Sequence, residues 1–261
     1  MSLVADAVCV MAADRCLVAE ASLQLAPGEL CVVIGPNGAG KSTLMKALCG
    51  DMVAQSGSVL LEDRDIHRWN LTARARVRAV LPQHTALTFP FTVREVVEMG
   101  RAPYRSYKDP QADRCAVAQA MQLADVAHLQ NRFYPSLSGG EAQRVQLARV
   151  LAQLDNPSGD ARYLFLDEPT ASLDPAHQHA TLKLARRLVQ SNVAVLAVLH
   201  DLNLAALYAD RVVMMREGRI LADGPPREVL TEALIGRVFE LPVSVLDHPN
   251  LDRPLIVQGT A

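Results

Sequence analysis

Residues 35–43 read GPNGAGKST, a loop of small residues that ends in a cation and two hydroxyls. They follow an unbroken apolar run, Leu30 to Ile34, and precede a pattern that reads as a helix over Thr43–Leu48. This strand–loop–helix context satisfies G-x-x-x-x-G-K-[ST], and the chemistry it serves is phosphate binding. Gly35, Gly38 and Gly40, with Pro36, Asn37 and Ala39 among them, let backbone N–H groups curl around phosphate oxygens. The helix that follows turns its positive end toward the same oxygens. Lys41 can reach the β- and γ-phosphates and Ser42 can hold Mg²⁺, with Thr43 closing the motif. The loop therefore predicts a bound nucleoside triphosphate. Kinases, GTPases, helicases and transporters all share it, but no N-K-x-D guanine-reading motif is present, which argues against a GTPase.

Residues 162–169 read RYLFLDEP, an apolar strand ending in two carboxylates. Asp167 at the strand tip can hold Mg²⁺ through water, and Glu168 can orient or deprotonate an attacking water. His200 closes the next apolar run, Val193–Leu199, where a neutral imidazole can hydrogen-bond a γ-phosphate and sense its loss. Gln83 ends another apolar run, and its amide can reach Mg²⁺ or the attacking water. Alone, such residues are ordinary polar strand ends. The phosphate cradle upstream is what gives them chemistry.

Residues 137–144 read LSGGEAQR. Ser138 and Glu141 fit the S-x-x-E capping box, so a helix starts here. Gly139 and Gly140 expose backbone N–H groups at its positive end, a second anion-binding helix start about a hundred residues from the first. If both serve one nucleotide of one chain, the intervening region must fold over its own loop. If two chains pack head to tail, each Ser138 reaches the other's γ-phosphate.

The elements that must position these groups alternate. Apolar runs at Leu30–Ile34, Tyr163–Leu166, Val193–Leu199 and Arg211–Met215 are separated by helical patterns at Thr43–Leu48, Ala142–Leu154 and Ala176–Val189. That rhythm predicts an α/β fold with a mainly parallel sheet. Two regions depart from it. The first thirty residues read as short strands around a Pro27-Gly28 turn, an N-terminal antiparallel β flank. From Thr92 to Leu154 only helices are predicted, over Val93–Met99, Arg114–Leu123 and Ala142–Leu154. The expected organisation is one domain, with 1–91 and 155–261 forming the nucleotide-binding core and its β flank. Residues 92–154 form an inserted helical subdomain that carries LSGGE. A turn-rich loop at Leu154–Arg162 returns to the sheet. Val229–Phe239 reads as one helix before an extended end, and the arginines of 64–78 as a solvated helix face.

The 261 residues are 50% hydrophobic, enough for a sizeable core, and carry a formal net charge of -2. Without a basic surface, nucleic acid is not an expected partner. Five scattered cysteines suggest reduced thiols, with Cys31 and Cys49 as small buried residues. No apolar run reaches the roughly 18 residues that a membrane span needs, and no basic segment precedes an apolar block at the start. The chain is not expected to cross a membrane by itself.

In order and spacing, GPNGAGKST, Gln83, LSGGE, LFLDEP, the SLD of Ser172–Asp174 and His200 resemble the ATP-binding subunits of ABC transporters over nearly the whole chain. The resemblance implies a RecA-like P-loop NTPase core, ATP and Mg²⁺ as cofactors, and a homodimer that sandwiches two ATPs. It implies Glu168, His200 and Gln83 as catalytic residues, and Ser42, Gln83 and Asp167 at the metal. Ser172–Asp174 would form the loop that communicates across the dimer, with Asp174 at the nucleotide. It further implies a permease dimer contacted near Gln83–Tyr104, with Phe89 and Phe91 as candidate groove walls. A periplasmic substrate-binding protein would act indirectly, and the chain would lie peripherally on the cytoplasmic face of a bacterial inner membrane. Relatives in DNA maintenance carry coiled-coil or zinc-bearing insertions, and those in translation usually carry two cassettes; this chain has neither heptads, metal-spaced cysteines nor a second P-loop. The segments FPFTVREVVEMGRAPY, RVQLARVLAQL and VLHDLNLAALYAD look like the importers of haem, ferric siderophores and vitamin B12. GRAPY and the loop at Leu154–Arg162 look most like the haem importers, with siderophore or B12 as the alternatives. Two departures stand out. Ala12 occupies the position where the family places an adenine-stacking aromatic, which predicts weaker adenine recognition; Ala142, where Gln is usual, is milder. His177 and His179 are two apart on a helix and do not share a face, so direct haem binding by this chain is not expected.

Overall fold

The computed structural model describes residues 2–83, 87, 89–107, 109–156 and 162–259. β1 (Leu3–Ala12) and β2 (Arg15–Leu25) form an antiparallel hairpin. They are longer than the short strands expected, because register shifts between Ala5 and Met11 interrupt the alternation without ending the pairing. β3 (Leu30–Ile34), buried at every residue, runs into the glycine loop and α1 (Lys41–Leu48). β4 (Ser56–Leu61) and β5 (Arg64–Asp65) complete a four-stranded sheet of order β2-β1-β4-β5. α2 (Leu71–Val77), capped by Asn70, leads to β6 (Arg78–Leu81).

Helices then dominate: α3 (Val93–Glu98), a 3-10 stretch at Met99–Tyr107, α4 (Pro110–Leu123) and α5 (Gly139–Leu154). Side chains cap each α-helix start, with Thr92 and Ser138 forming full capping boxes with Glu95 and Glu141. The chain re-enters the sheet as β7 (Arg162–Asp167), followed by α6 (Pro175–Gln190), β8 (Val193–Val198) and α7 (Leu202–Tyr208). β9 (Arg211–Arg216) and β10 (Arg219–Gly224) form a hairpin at the far edge.

The central sheet has the order β10-β9-β3-β8-β7-β6 and is parallel except at β10. Parallel β3, β7 and β8 therefore end on one side of the sheet, and the residues just past their tips become neighbours. Its two faces support separate apolar layers: Leu30, Val32 and Ile34 join the layer containing α3–α5, and Cys31 and Val33 join the β1–β2 side. Burial raises the thiols of Cys31 and Cys49, the latter to about 12, so both act as small apolar residues.

Two further sequence expectations change, and the extended end gains a partner. The helix expected over Val229–Phe239 is two, α8 (Pro226–Val229) and α9 (Glu232–Phe239). Fully buried Leu230 leaves the helical conformation, and the Thr231 hydroxyl accepts from Leu234 N to start α9 afresh. The extended end is a hairpin, β11 (Val243–Asp247) with β12 (Pro254–Gln258). The arginines of 64–78 are not one solvated face. Arg74 is buried and donates to the carbonyls of Gly50 and Ile66, while Arg76 donates to Pro103 O and lies 4.5 Å from the Tyr107 ring centroid. Of the turn-rich loop at Leu154–Arg162, residues 157–161 lie outside the described residues. No helix among those described is long and apolar enough to cross a membrane.

Candidate active site

The glycine loop is shaped by close backbone approaches. A Cβ on Gly35 would fall 2.2 Å from Met215 O, and one on Gly40, at φ +95°, would fall 2.4 Å from Leu17 O. Neither position admits another residue without moving a neighbouring strand. Lys41 Nζ donates to Gly35 O at 2.7 Å and Pro36 O at 2.9 Å, bridging the loop its cation is meant to serve. Burial lowers its pKa, and the nearby Glu168 and Asp167 carboxylates oppose that shift. Ser42 Oγ donates to Asp167 Oδ1 at 2.9 Å, so the tips of α1 and β7 meet there. Burial raises the Asp167 pKa, and the Ser42 hydrogen bond pulls the other way.

Glu168 lies just past β7, at φ +51°. Its Oε2 accepts from Gln83 Nε2 at 2.7 Å, and its Oε1 lies 2.7 Å from His200 Nε2. β6, β7 and β8 thus each deliver one member of this cluster, as parallel neighbours must. Gln83 is described, whereas 84–86 and 88 of the segment that follows are outside the described residues. A cleft of about 220 Å³ joins Glu168 to the loop residues Asn37–Thr43 and to Arg15 and Leu17 of β2. A second cleft of about 440 Å³ shares Arg15, Leu17 and Asn37–Ala39 and extends to Arg216–Gly218 and Phe239. Ala12 pairs with Arg15 across the end of the hairpin, and of the two it is Arg15 that lines both clefts. A larger cleft of about 840 Å³, lined by His179, Lys183 and Tyr208 among others, contains none of these groups, and chemistry rather than volume fixes the site. Ser42 and Asp167 are hard oxygen donors, and this fits Mg²⁺, which takes one or two protein oxygens and completes its shell with phosphates and water.

The LSGGE segment does not line the cleft of its own chain. Ser138 caps α5, Ser138 N donates to Glu141 Oε2 at 2.7 Å, and this bond holds the Glu141 carboxyl below its usual range. A Cβ on Gly140 would come 3.2 Å from Ser172 O, so the Ser172–Asp174 loop packs against the LSGGE turn. Asp174 caps α6 by accepting from His177 N at 2.9 Å, which lowers its pKa. His177 also contacts the Asp174 carboxylate, whereas His179 Nδ1 meets Tyr208 OH at 2.7 Å, so the two histidines serve different neighbours.

Sequence reasoning missed Gln143, whose Nε2 donates to Glu168 O at 3.1 Å, and Arg15. A glutamine in the second turn of a helix carries no signal of a partner 25 residues on. In GRAPY the buried Gly100 abuts α5, where a Cβ would fall 2.2 Å from Arg149 O. Of the aromatics between Gln83 and Tyr104, Phe89 is exposed, Phe91 half-buried against the core, and Tyr104 buried with its hydroxyl on Gln153 O.

The ABC transporter family model matches residues 18–171. A hemin import ATP-binding protein of Gloeobacter violaceus is 50% identical over 246 residues, covering 94% of this chain and 90% of that protein. An inward-facing structure of an ABC transporter described as of metal-chelate type has a TM-score of 0.81 at 25% identity, covering 99% of this chain and 97% of that one. A dimeric bacterial ABC transporter cassette shares the fold, with a TM-score of 0.76 at 23% identity over 86% of this chain and 99% of that one. The comparisons agree with a phosphate loop facing an acidic strand end: the chain belongs to the ABC transporter family and is an ATPase.

Proposed function

We propose that this chain powers import of haem through a separate integral-membrane permease, working as a homodimer on the cytoplasmic face of a bacterial inner membrane. The observation that carries the mechanism is the anchoring of the Glu168 carboxylate by both Gln83 and His200, beside the loop that holds Lys41. The cargo rests on relatives about 50% identical that are hemin import ATP-binding proteins. In this reading residues 1–91 and 155–261 form the nucleotide-binding core and 92–154 the lobe that presents Ser138.

ATP enters with its phosphates in the loop of residues 35–43, and Lys41 exchanges its carbonyl partners for phosphate oxygens. Ser42 and Asp167, with Gln83 in reach, would hold Mg²⁺, which would supply charge neutralisation at the β- and γ-phosphates. His200 turns from Glu168 to the γ-phosphate, freeing the carboxylate to orient the attacking water. Ser138, Gly139, Gly140 and Glu141 act on the partner's nucleotide, since they do not line their own cleft, and Asp174 lies in the loop between the two sites. The permease meets the segment Gln83–Tyr104, and a periplasmic binding protein delivers cargo on the far side.

Glu168→Gln tests the mechanism. It should bind ATP normally, hydrolyse it at least about 100-fold more slowly, and accumulate ATP-dependent dimers on size-exclusion chromatography. Rapid turnover would remove Glu168 from its role. For the cargo, the ATPase co-purified with its permease is placed in liposomes with its binding protein. Haem should stimulate hydrolysis and a ferric siderophore should not; the reverse reassigns the importer.

A further inference from the structure

Gln143 lies five residues beyond the cap Ser138, in the second turn of α5. Its Nε2 donates to Glu168 O at 3.1 Å, and its Oε1 is buried with no partner among the described residues. Among the described residues the side chain thus makes one hydrogen bond, to a carbonyl. That carbonyl belongs to a residue at φ +51°, a conformation that residues with a Cβ adopt only when their surroundings hold them there. Glu168 O also accepts from Ala171 N at 3.2 Å, but that bond lies within the same turn. Gln143 brings the contact from another element, the helix that carries LSGGE.

Holding the carbonyl restrains the peptide plane after Glu168 and the ψ torsion on which the direction of its Cα–Cβ bond depends. The carboxylate is then delivered between Gln83 and His200, each at 2.7 Å. A swing of that plane would carry the carboxylate out of this bracket. We infer that Gln143 is a positioning residue for Glu168, so that α5 presents Ser138 at its tip and sets the water-orienting carboxylate of its own chain one turn later. Any displacement of α5 against β7 changes the aim of Glu168 directly. The inference rests on the proposed role of Glu168 in hydrolysis.

Gln143→Met keeps the length of the side chain and removes the donor. In the purified ATPase it should lower kcat by about tenfold, which corresponds to about 1.4 kcal/mol, while KM and ATP affinity stay within about twofold. Gln143→Glu has the same shape and puts an acceptor where the donor was. Its kcat should be low at pH 8 and recover relative to wild type as pH falls, because a protonated carboxyl can again donate to Glu168 O. It also serves as the test if Gln143→Met does not fold. The decisive measurement is the double variant. If Gln143 acts through Glu168, adding Gln143→Met to Glu168→Gln should change the residual single-turnover rate less than about twofold. An equal fold-loss in both backgrounds, a wild-type kcat for Gln143→Met, or the absence of acid recovery in Gln143→Glu would overturn the inference. Fast turnover of Glu168→Gln alone would instead overturn the reading of the site.

Discussion

Replacing Arg101 by Met removes a cation that three acceptors share. Its Nε donates to Asp113 Oδ1 at 2.7 Å, and its Nη1 donates to Ala152 O at 2.6 Å and Asp155 O at 2.7 Å. The guanidinium carbon lies 4.1 Å from the centroid of the Tyr104 ring, and the side chain is 7% exposed. Ala152 and Asp155 stand at the C-terminal end of α5, where carbonyls lack helical partners and a cation is favourable. Methionine refills the stem but leaves these carbonyls without their donor. At the low end of charge-assisted bonds, about 1.5 kcal/mol each, the two carbonyls account for about 3 kcal/mol. Asp113 is a third exposed, so solvent screening holds its share below about 1 kcal/mol. The expected loss is about 3–4 kcal/mol, a fall in Tm of about 10 °C for a domain of this size.

Thermal unfolding followed by circular dichroism, with wild type, Arg101→Met and Arg101→Lys side by side, measures this. Lysine supplies one point of charge in place of a planar fork, so it should recover only part of the loss. Because Arg101 does not line the nucleotide cleft, kcat at 20 °C should stay within about twofold of wild type. A Tm shift below about 3 °C would refute the reasoning. So would a kcat that collapses while the variant is still folded, since the loss would then have reached Glu168 and not stayed at the C-terminal end of α5.

Nucleotide choice and permease coupling give further tests. With Ala12 in place of an aromatic and Arg15 lining both clefts, ATP and GTP should compete nearly equally, and Arg15→Tyr should raise ATP affinity by supplying a stacking face worth about 1–3 kcal/mol. A strong preference for ATP in direct competition, or no gain from tyrosine, would contradict this. Phe89, 68% exposed, is a better probe of the permease groove than Phe91, which packs on the core. Phe89→Ala should leave basal ATP hydrolysis intact and reduce haem-coupled transport in liposomes, whereas Phe91→Ala should lower both along with Tm. Equal transport by Phe89→Ala and wild type would remove that side chain from the contact.

What the sequence made legible was local. The glycine loop, the acidic strand end and the capping box at Ser138 each state their geometry within a few residues, and each sits where its own pattern requires. The parallel order of β8, β7 and β6 then sets Gln83, Glu168 and His200 just past neighbouring strand ends, where their side chains meet. Contacts between distant elements left no such trace. Gln143 and Glu168 O, Arg101 and the end of α5, and Arg74 with Gly50 O all join a side chain to a main-chain carbonyl, and a carbonyl has no residue type to read. The break at Leu230 was hidden similarly: apolar spacing continues through it, while buried Leu230 leaves the helical conformation and Thr231 caps a new helix.

GRAPY shows the consequence for reading cargo from kinship. Gly100 lets the chain approach α5, Arg101 holds its last carbonyls, and the Tyr104 hydroxyl donates to Gln153 O on the same helix. The motif on which the resemblance to haem importers rests is therefore built into the support of the helix that begins at Ser138 and holds Glu168 through Gln143. None of its contacts could recognise haem. If the motif follows cargo, it does so through how firmly α5 is braced, which sets how a push on the lobe is passed to the carboxylate. Arg101→Lys separates the two possibilities. Arg101 lies within the segment assigned to the permease, but its side chain is buried, so the substitution loosens the end of α5 without altering an exposed contact; a change in the coupling of hydrolysis to transport, with basal hydrolysis kept, would assign GRAPY to transmission. Unchanged coupling at reduced Tm would assign it to stability alone.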